Sequence, residues 1–332
     1  MSGIAGIVNS AEDILRKSVN LCGMSEAIRT RGVTGAGYYI SSNAALLSRI
    51  GPFGPNSGDS FVTELIIEGK SYAITMDGTI YNSKELAADL QAAGIRCSSA
   101  NYPELIIHAF VKWKENFFEK INGSFAFAIW IKEEKTLFLV RDHHGIKPLY
   151  YSIIDQSLIF ASDIKGITCH PLFERIIDKE GLSELICLNP RHTPGSGVIK
   201  GIRQVRPGHY VKFSEQGTKH YRYWVLKDGK HEDDLIKTLS TVRELVIDAI
   251  KKQMYSDVNL CGFLSGGLYS SLITAVVAEY PMLLNNGIYN TWSVDFEKAN
   301  RFVYSNGYGR DSDMPWIRWV CRRANTRHHY II

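Results

Sequence analysis

Apolar and polar positions along this chain change their period twice, and the changes divide it into parts. Up to about residue 160 the dominant signal is a short apolar or alternating run bounded by turn residues, which predicts strands. Such runs are Ile4 to Val8, Gly37 to Ile40, Ala44 to Ile50 and Tyr72 to Met76. Between Ser83 and Ala93 the period becomes helical: Leu86 and Leu90 share a face, Ser83 is placed to cap the start, and Gly94 follows the end. Pro103 to Trp113 predicts a second helix, with Pro103 in the first turn and Leu105, Ile106, Ala109 and Phe110 on one stripe. Strands return at Phe125 to Trp130, Thr136 to Val140, Leu149 to Ser152 and Leu158 to Ala161. Many strands with few helices predict a layered α+β unit.

From about 167 to 224 the pattern is mixed. Gly195, Gly197 and Pro207-Gly208 mark turns, and His209 to Phe213 alternates as an edge strand does. Lys227 to Asp234 is charged and poor in apolar residues, so a linker is placed there, between a first domain at 1–226 and a second at 235–332. After the linker, strand and helix alternate. Leu235 to Tyr255 is helical, Val258 to Leu264 a strand and Leu268 to Glu279 a helix. Thr291 to Phe296 follows as a strand, Asp313 to Ala324 as a helix, and Arg327 to Ile332 as a further strand. This alternation predicts a partial Rossmann-like α/β segment with a parallel sheet. The open edge near His328 to Ile332 invites a covering partner.

Composition narrows the function classes. Among 332 residues, 38 Lys and Arg stand against 34 Asp and Glu, a net charge of +4 that is too weak to argue for a nucleic-acid partner. No signal peptide or membrane span is legible, which places the chain in the cytoplasm. The six cysteines show no metal-ligand spacing and are expected as mostly reduced, buried thiols. The pairs His143-His144 and His328-His329 would suggest a metal, but adjacent residues on a strand point apart; no metal site is expected.

One segment carries recognisable chemistry. Leu264-Ser-Gly-Gly-Leu-Tyr-Ser-Ser271 joins the predicted buried strand to a helix. Gly266 and Gly267 let backbone N–H groups approach an anion, the helix N-terminus adds a positive dipole end, and Ser265, Ser270 and Ser271 add hydroxyl donors. It is not a Walker loop, since no Gly-Lys-Ser/Thr follows. Taken alone, the loop is equally compatible with a ligand-free strand–helix turn. With its flanks it resembles the pyrophosphate loop of the ATP pyrophosphatases, Ser-Gly-Gly-x-Asp-Ser. That resemblance implies an ATP site on Leu264, Ser265, Gly266, Gly267, Ser270 and Val294. Tyr269 takes the place of the aspartate that organises magnesium, and a phenol with a pKa of about 10 is a poor hard-cation ligand, so ATP and Mg2+ binding are both in doubt.

A wider resemblance spans nearly the whole chain. Met1-Ser-Gly-Ile-Ala-Gly6, Arg31-Gly32, Asp77-Gly-Thr-Ile-Tyr-Asn82, Arg141-Asp-His-His-Gly-Ile-Lys-Pro148 and Phe160-Ala-Ser-Asp163 resemble, in order, the motifs of class II glutamine amidotransferases. Gly201 to Tyr210 and Tyr223-Trp224 are similar to the glutamine-hydrolysing asparagine synthetases in particular. The resemblance implies an N-terminal-nucleophile (Ntn) αββα sandwich that hydrolyses glutamine, then a synthetase domain that adenylates aspartate with ATP and magnesium.

The departures gather at one pocket. Ser2 replaces the family's nucleophilic cysteine, and a hydroxyl is the weaker nucleophile. Asp77, beside the retained Gly78, replaces the oxyanion-hole asparagine; losing one such donor costs roughly 10²–10³-fold in rate. Thr79 and Tyr102 replace the acidic groups that hold the glutamine α-amine, Val33-Thr34 replaces a Pro-Asp, and Arg49 keeps the α-carboxylate position. Fold kept and chemistry lost implies a glutaminase-inactive relative. The open readings are a non-catalytic binding or scaffold subunit, with a homodimer partner as the resemblance implies; half of a split amide ligase completed by a second polypeptide; a nucleotide enzyme of altered chemistry; and a truncated product without function.

Overall fold

The computed structural model describes residues 2–14, 20–51, 62–98, 101–188, 191–254, 259–281, 287–294 and 313–332. The chain divides into a unit ending at Asp228 and a unit beginning at Gly229.

The first unit runs β1 (Gly3–Val8), α1 (Leu21–Ala27), β2 (Gly35–Ile40), β3 (Ala44–Ile50), β4 (Val62–Ile67), β5 (Lys70–Ile80), α2 (Ser83–Ala92) and α3 (Tyr102–Trp113). It continues with β6 (Gly123–Ile131), β7 (Thr136–Arg141), β8 (Tyr150–Ile154), β9 (Ser157–Ala161), α4 (Lys165–Thr168), α5 (Lys179–Cys187), β10 (Arg203–Gln204), β11 (His209–Ser214) and β12 (Gly217–Arg222). The strands form two six-stranded antiparallel sheets, ordered β10-β8-β9-β1-β3-β2 and β12-β11-β7-β6-β5-β4.

Strand β6 shows why the layers stack. Phe125, Phe127, Ile129 and Ile131 face α2 and α3, where they meet Leu86, Leu90, Leu105 and Phe110. The alternate residues Ala126, Ala128 and Trp130 face the other sheet and meet Ile4, Leu46 and Phe160. Strand β1 divides likewise: Ile4 and Val8 point between the sheets, while Ala5 and Ile7 point to Met24, Ile28 and Ile167 under α1 and α4. A strand buried on both faces must be apolar at nearly every position, so these strands read as continuous apolar runs. Each large apolar side chain so buried contributes about 1.5–3 kcal/mol. The result is the αββα sandwich.

Several expectations change in detail. Strand β11 is not an edge: it lies between β7 and β12, and the exposed, polar β12 takes the edge. The polar positions of β11 are covered by neighbours, as where the Lys212 ammonium sits 5.2 Å from the centre of the Phe138 ring. Helix α2 begins at Ser83 with Asn82 in the cap position; the Asn82 side chain instead donates to Lys120 O and accepts from Asn122 N, tying the helix start to the turn before β6. Strand β4 and helix α5 carried no clear periodic signal. The cysteines are unpaired, but Cys22, Cys187 and Cys261 are exposed and Cys97, Cys169 and Cys321 are half-buried, so the expectation of buried thiols is corrected. Among the described residues, no helix is long and apolar enough to cross a membrane.

The second unit runs α6 (Leu235–Gln253), β13 (Cys261–Phe263), α7 (Leu268–Ala278), β14 (Asn290–Val294), α8 (Met314–Ala324) and β15 (Arg327–Ile331). Its sheet is parallel, ordered β13-β14-β15. The expected extensions to Tyr255, Val258, Asp295 and Phe296 lie outside the described residues. Its core is thin: Met254, Val277 and Tyr289 form one cluster, and Leu264, Ile317 and Val320 another. Helix α6 buries none of its residues, and Leu235, Ile236 and Leu239 are exposed.

Candidate functional site

In the first unit the structure gathers the beginning of β1, the end of β5 and the turn after β7. Ser2 is half-buried and precedes Gly3, which pairs with Arg49 on β3. A Cβ on Gly3 would lie 2.9 Å from Arg31 Cβ, so the Arg31 side chain packs directly over the start of the strand. One Arg31 guanidinium nitrogen stands 4.0 Å from Asp77 Oδ2, and its Nε stands 4.0 Å from Asp163 Oδ2. Lys147 Nζ is 3.2 Å from Asp77 Oδ1.

Asp77 is 1% exposed, and neither of its oxygens receives a well-directed hydrogen bond. Burial pushes its pKa above the ordinary carboxylate value, against the pull of Lys147 and then Arg31. Gly78, next on β5, has φ +132° opposite Phe125, and a Cβ there would lie within 2.0 Å of Ser124 O. Glycine is a requirement of this backbone. Thr79 faces Ser124 across the ladder and is half-buried. Arg49 Nε donates to Gly32 O at 2.8 Å, and Thr34 Oγ1 donates to Ile50 O at 2.6 Å, so both side chains hold the loop before β2. Tyr102 lies in the first turn of α3 and is 3% exposed in the helix–sheet core. Asp77, Gly78 and Thr79 thus share one strand end, while the Tyr102 ring packs among apolar side chains.

Lys147 is aimed by its own turn. The Asp142 carboxylate accepts from the backbone N–H groups of Phe125, His144, Ile146 and Lys147, at 3.3, 3.1, 2.9 and 2.9 Å. The Arg141 guanidinium donates to the carbonyls of Lys147, Val205 and Gly145 at 2.8, 2.8 and 2.7 Å. Tyr223 Oη donates to Arg141 O at 2.6 Å, and burial raises its pKa. Arg31 and Lys147, the cations beside Asp77, were visible in the sequence as motif members. Their spatial partner was not.

In the second unit Leu264 is fully buried, and its N–H donates to Trp292 O at 2.8 Å. Gly266 has φ +79°, and a Cβ there would lie 2.9 Å from Asp313 O. Ser265 N donates to Ser270 Oγ at 3.2 Å, the two serine hydroxyls lie 3.0 Å apart, and Ser270 Oγ donates to Gly267 O at 3.1 Å. Gly267 caps α7. The Ser265 N–H and both serine hydroxyl protons are thus used within the loop, and the N–H groups at the start of α7 are what it offers an anion. Tyr269 and Val294 are exposed, at 81% and 61%. Among the described residues, no group of three or more His, Cys, Asp or Glu side chains could hold a metal ion.

Residues 1–224 match the glutamine amidotransferase domain family, and residues 241–332 match the asparagine synthase family. The chain is 32% identical to asparagine synthetase [glutamine-hydrolyzing] 3 of Bacillus subtilis (strain 168), over 99% of this chain and 54% of that protein. It is 33% identical to asparagine synthetase [glutamine-hydrolyzing] 2 of the same organism, over 100% of this chain and 44% of that protein. The chain therefore spans about half the length of the curated relatives it matches. Among solved structures, it superposes on a glutamine phosphoribosylpyrophosphate amidotransferase from B. subtilis with a TM-score of 0.50 and 11% identity, over 99% of this chain and 65% of that one. A second match, the allosteric regulatory enzyme of purine biosynthesis, gives a TM-score of 0.51 and 12% identity, over 99% of this chain and 80% of that one. At such identities the likeness speaks for the fold alone, that of the Ntn-type amidotransferases.

Proposed function

This chain belongs to the glutamine amidotransferase family, and we propose that it is an asparagine synthetase-like member without glutaminase activity. One observation carries the reading: Asp77, where the resemblance implies a side-chain amide donor, is a buried carboxylate facing Lys147. Asp77 has no side-chain amide N–H, and in its ionised form, paired with Lys147, it accepts only and would repel an oxyanion developing on a glutamine amide. Ser2, a weaker nucleophile than cysteine, adds to the loss. The Tyr102 ring, packed in the core, offers no charge for the glutamine α-amine.

In the second unit, Ser265, Gly266, Gly267 and Ser270 would hold the phosphates of ATP, with the exposed Val294 beside the base and the buried Leu264 anchoring the loop from the core. ATP, when bound, supplies the leaving group for adenylating a carboxylate such as that of aspartate. The loop's part is to bind and orient; Tyr269 gives it no magnesium ligand, so the synthetase site of this segment is incomplete.

The test is ammonia release from glutamine by the purified chain. Release no faster than in buffer is expected, unchanged in Ser2→Ala; turnover that Ser2→Ala abolishes overturns the reading. Calorimetry with Mg-ATP tests the loop, with Gly266→Asp as the blocked control.

The exposed apolar residues of α6 favour a second reading, half of a split ATP-dependent amide ligase. A second polypeptide carrying further synthetase sequence would co-purify at fixed stoichiometry. A soluble monomer that gains no activity when mixed with such a polypeptide removes this reading.

A further inference from the structure

A chain of side-chain hydrogen bonds behind the glycine loop has a direction that can be deduced by counting protons. Ser293 Oγ lies 2.5 Å from Leu264 O, and a carbonyl can only accept, so the single hydroxyl proton of Ser293 points there. Toward His328 Nε2, 3.1 Å away, Ser293 Oγ must then accept, which places a proton on Nε2. In the neutral ring Nδ1 is bare and accepts from Thr291 Oγ1 at 2.9 Å. Thr291 has then given its proton, so in its 3.2 Å contact with Thr326 Oγ1 it accepts. The donors run Thr326, Thr291, His328, Ser293, and end on the Leu264 carbonyl.

Strand geometry puts these groups together. Thr291 and Ser293 alternate onto one face of β14, and parallel pairing sets Thr291 beside His328 on β15. Burial, and then the neighbouring His329, lower the His328 pKa, in keeping with a neutral ring. The end of the chain is the peptide between Leu264 and Ser265, which opens the loop. Its carbonyl is held by Ser293, and its N–H donates to Ser270 Oγ at 3.2 Å. The plane of that peptide is therefore clamped from both sides.

We infer that His328 is a positioning residue for the Ser265–Gly267 loop: as the Nε2–H tautomer it directs the Ser293 hydroxyl at the Leu264 carbonyl and so fixes the first peptide of the loop. The consequence for ligand binding rests on the reading of this loop as a phosphate seat; the hydrogen-bond chain does not.

The experiment uses the full chain. Nitrogen-15 NMR of the His328 ring should show Nε2 protonated and Nδ1 bare at neutral pH; the opposite tautomer or an imidazolium overturns the inference. His328→Phe and Ser293→Ala should shift the backbone amides of Ser265 to Ser270, whereas His328→Gln, whose side-chain N–H can replace Nε2–H, should restore them. Unmoved loop amides in His328→Phe also overturn it. Should His328→Phe not fold, the ring tautomer and the Gln variant decide. Where the native chain binds Mg-ATP, His328→Phe should weaken binding about tenfold and His328→Gln less than about threefold. A native chain that does not bind Mg-ATP removes the phosphate-seat reading, while the tautomer and loop amides still judge His328.

Discussion

Lys147 Nζ stands 3.2 Å from Asp77 Oδ1, joining the turn after β7 to the end of β5 inside the first unit. The attraction is set against the cost of burying the carboxylate, and burial is the larger effect on the Asp77 pKa. A carboxyl whose pKa rises on folding stabilises the fold most below its unfolded pKa. That contribution is lost as pH rises through the folded value.

Asp77→Asn should therefore change stability in a pH-dependent way. Near pH 3 the variant and the native chain should melt alike. Above the raised Asp77 pKa the variant should gain about 1 kcal/mol, or roughly 2–4 °C in melting temperature. Paired calorimetric scans from pH 3 to pH 8 check this, and a gain confined to low pH would contradict it.

Gly78→Ala should be among the most damaging single changes in the first unit. The added Cβ meets the Ser124 carbonyl within the β5–β6 ladder, where backbone cannot yield cheaply, and φ +132° is strained for any L side chain. A loss of about 3 kcal/mol or more is expected in urea unfolding.

Asp142→Ala should unlock the turn that carries Lys147. Four backbone N–H groups lose their acceptor, and the half-buried Lys147 amide is among them. The Phe125 donor is buried and costs about 1–3 kcal/mol when left unsatisfied, while the amides of the exposed His144 and Ile146 can turn to water, so a loss of about 2 kcal/mol is expected, with rapid amide exchange from His144 to Lys147.

Gly266→Ala should act on the second unit and leave the first unchanged. The Cβ would press on Asp313 O at the start of α8, and the φ of +79° adds strain. A loss of about 1–2 kcal/mol is expected. Hydrogen exchange should quicken in α7 and α8 while β5 and β6 stay protected.

By itself the sequence placed a linker at Lys227 to Asp234, most of the strands and helices on either side of it though not β4, α5 or β12, and the family motifs. These are local quantities: period-2 and helical patterns, turn residues and ordered short motifs are written in neighbouring positions. The motif around Asp77 also implied that a donor is replaced there. Only the tertiary structure decided what Asp77 faces, since Arg31 and Lys147 arrive from distant segments through sheet packing. The inner place of β11 was hidden because the polar β12 covering it has no apolar period. The link from Thr326 through His328 to Leu264 was hidden for a different reason: parallel pairing sets residues of β14 and β15 side by side, and register is not a property of either strand alone.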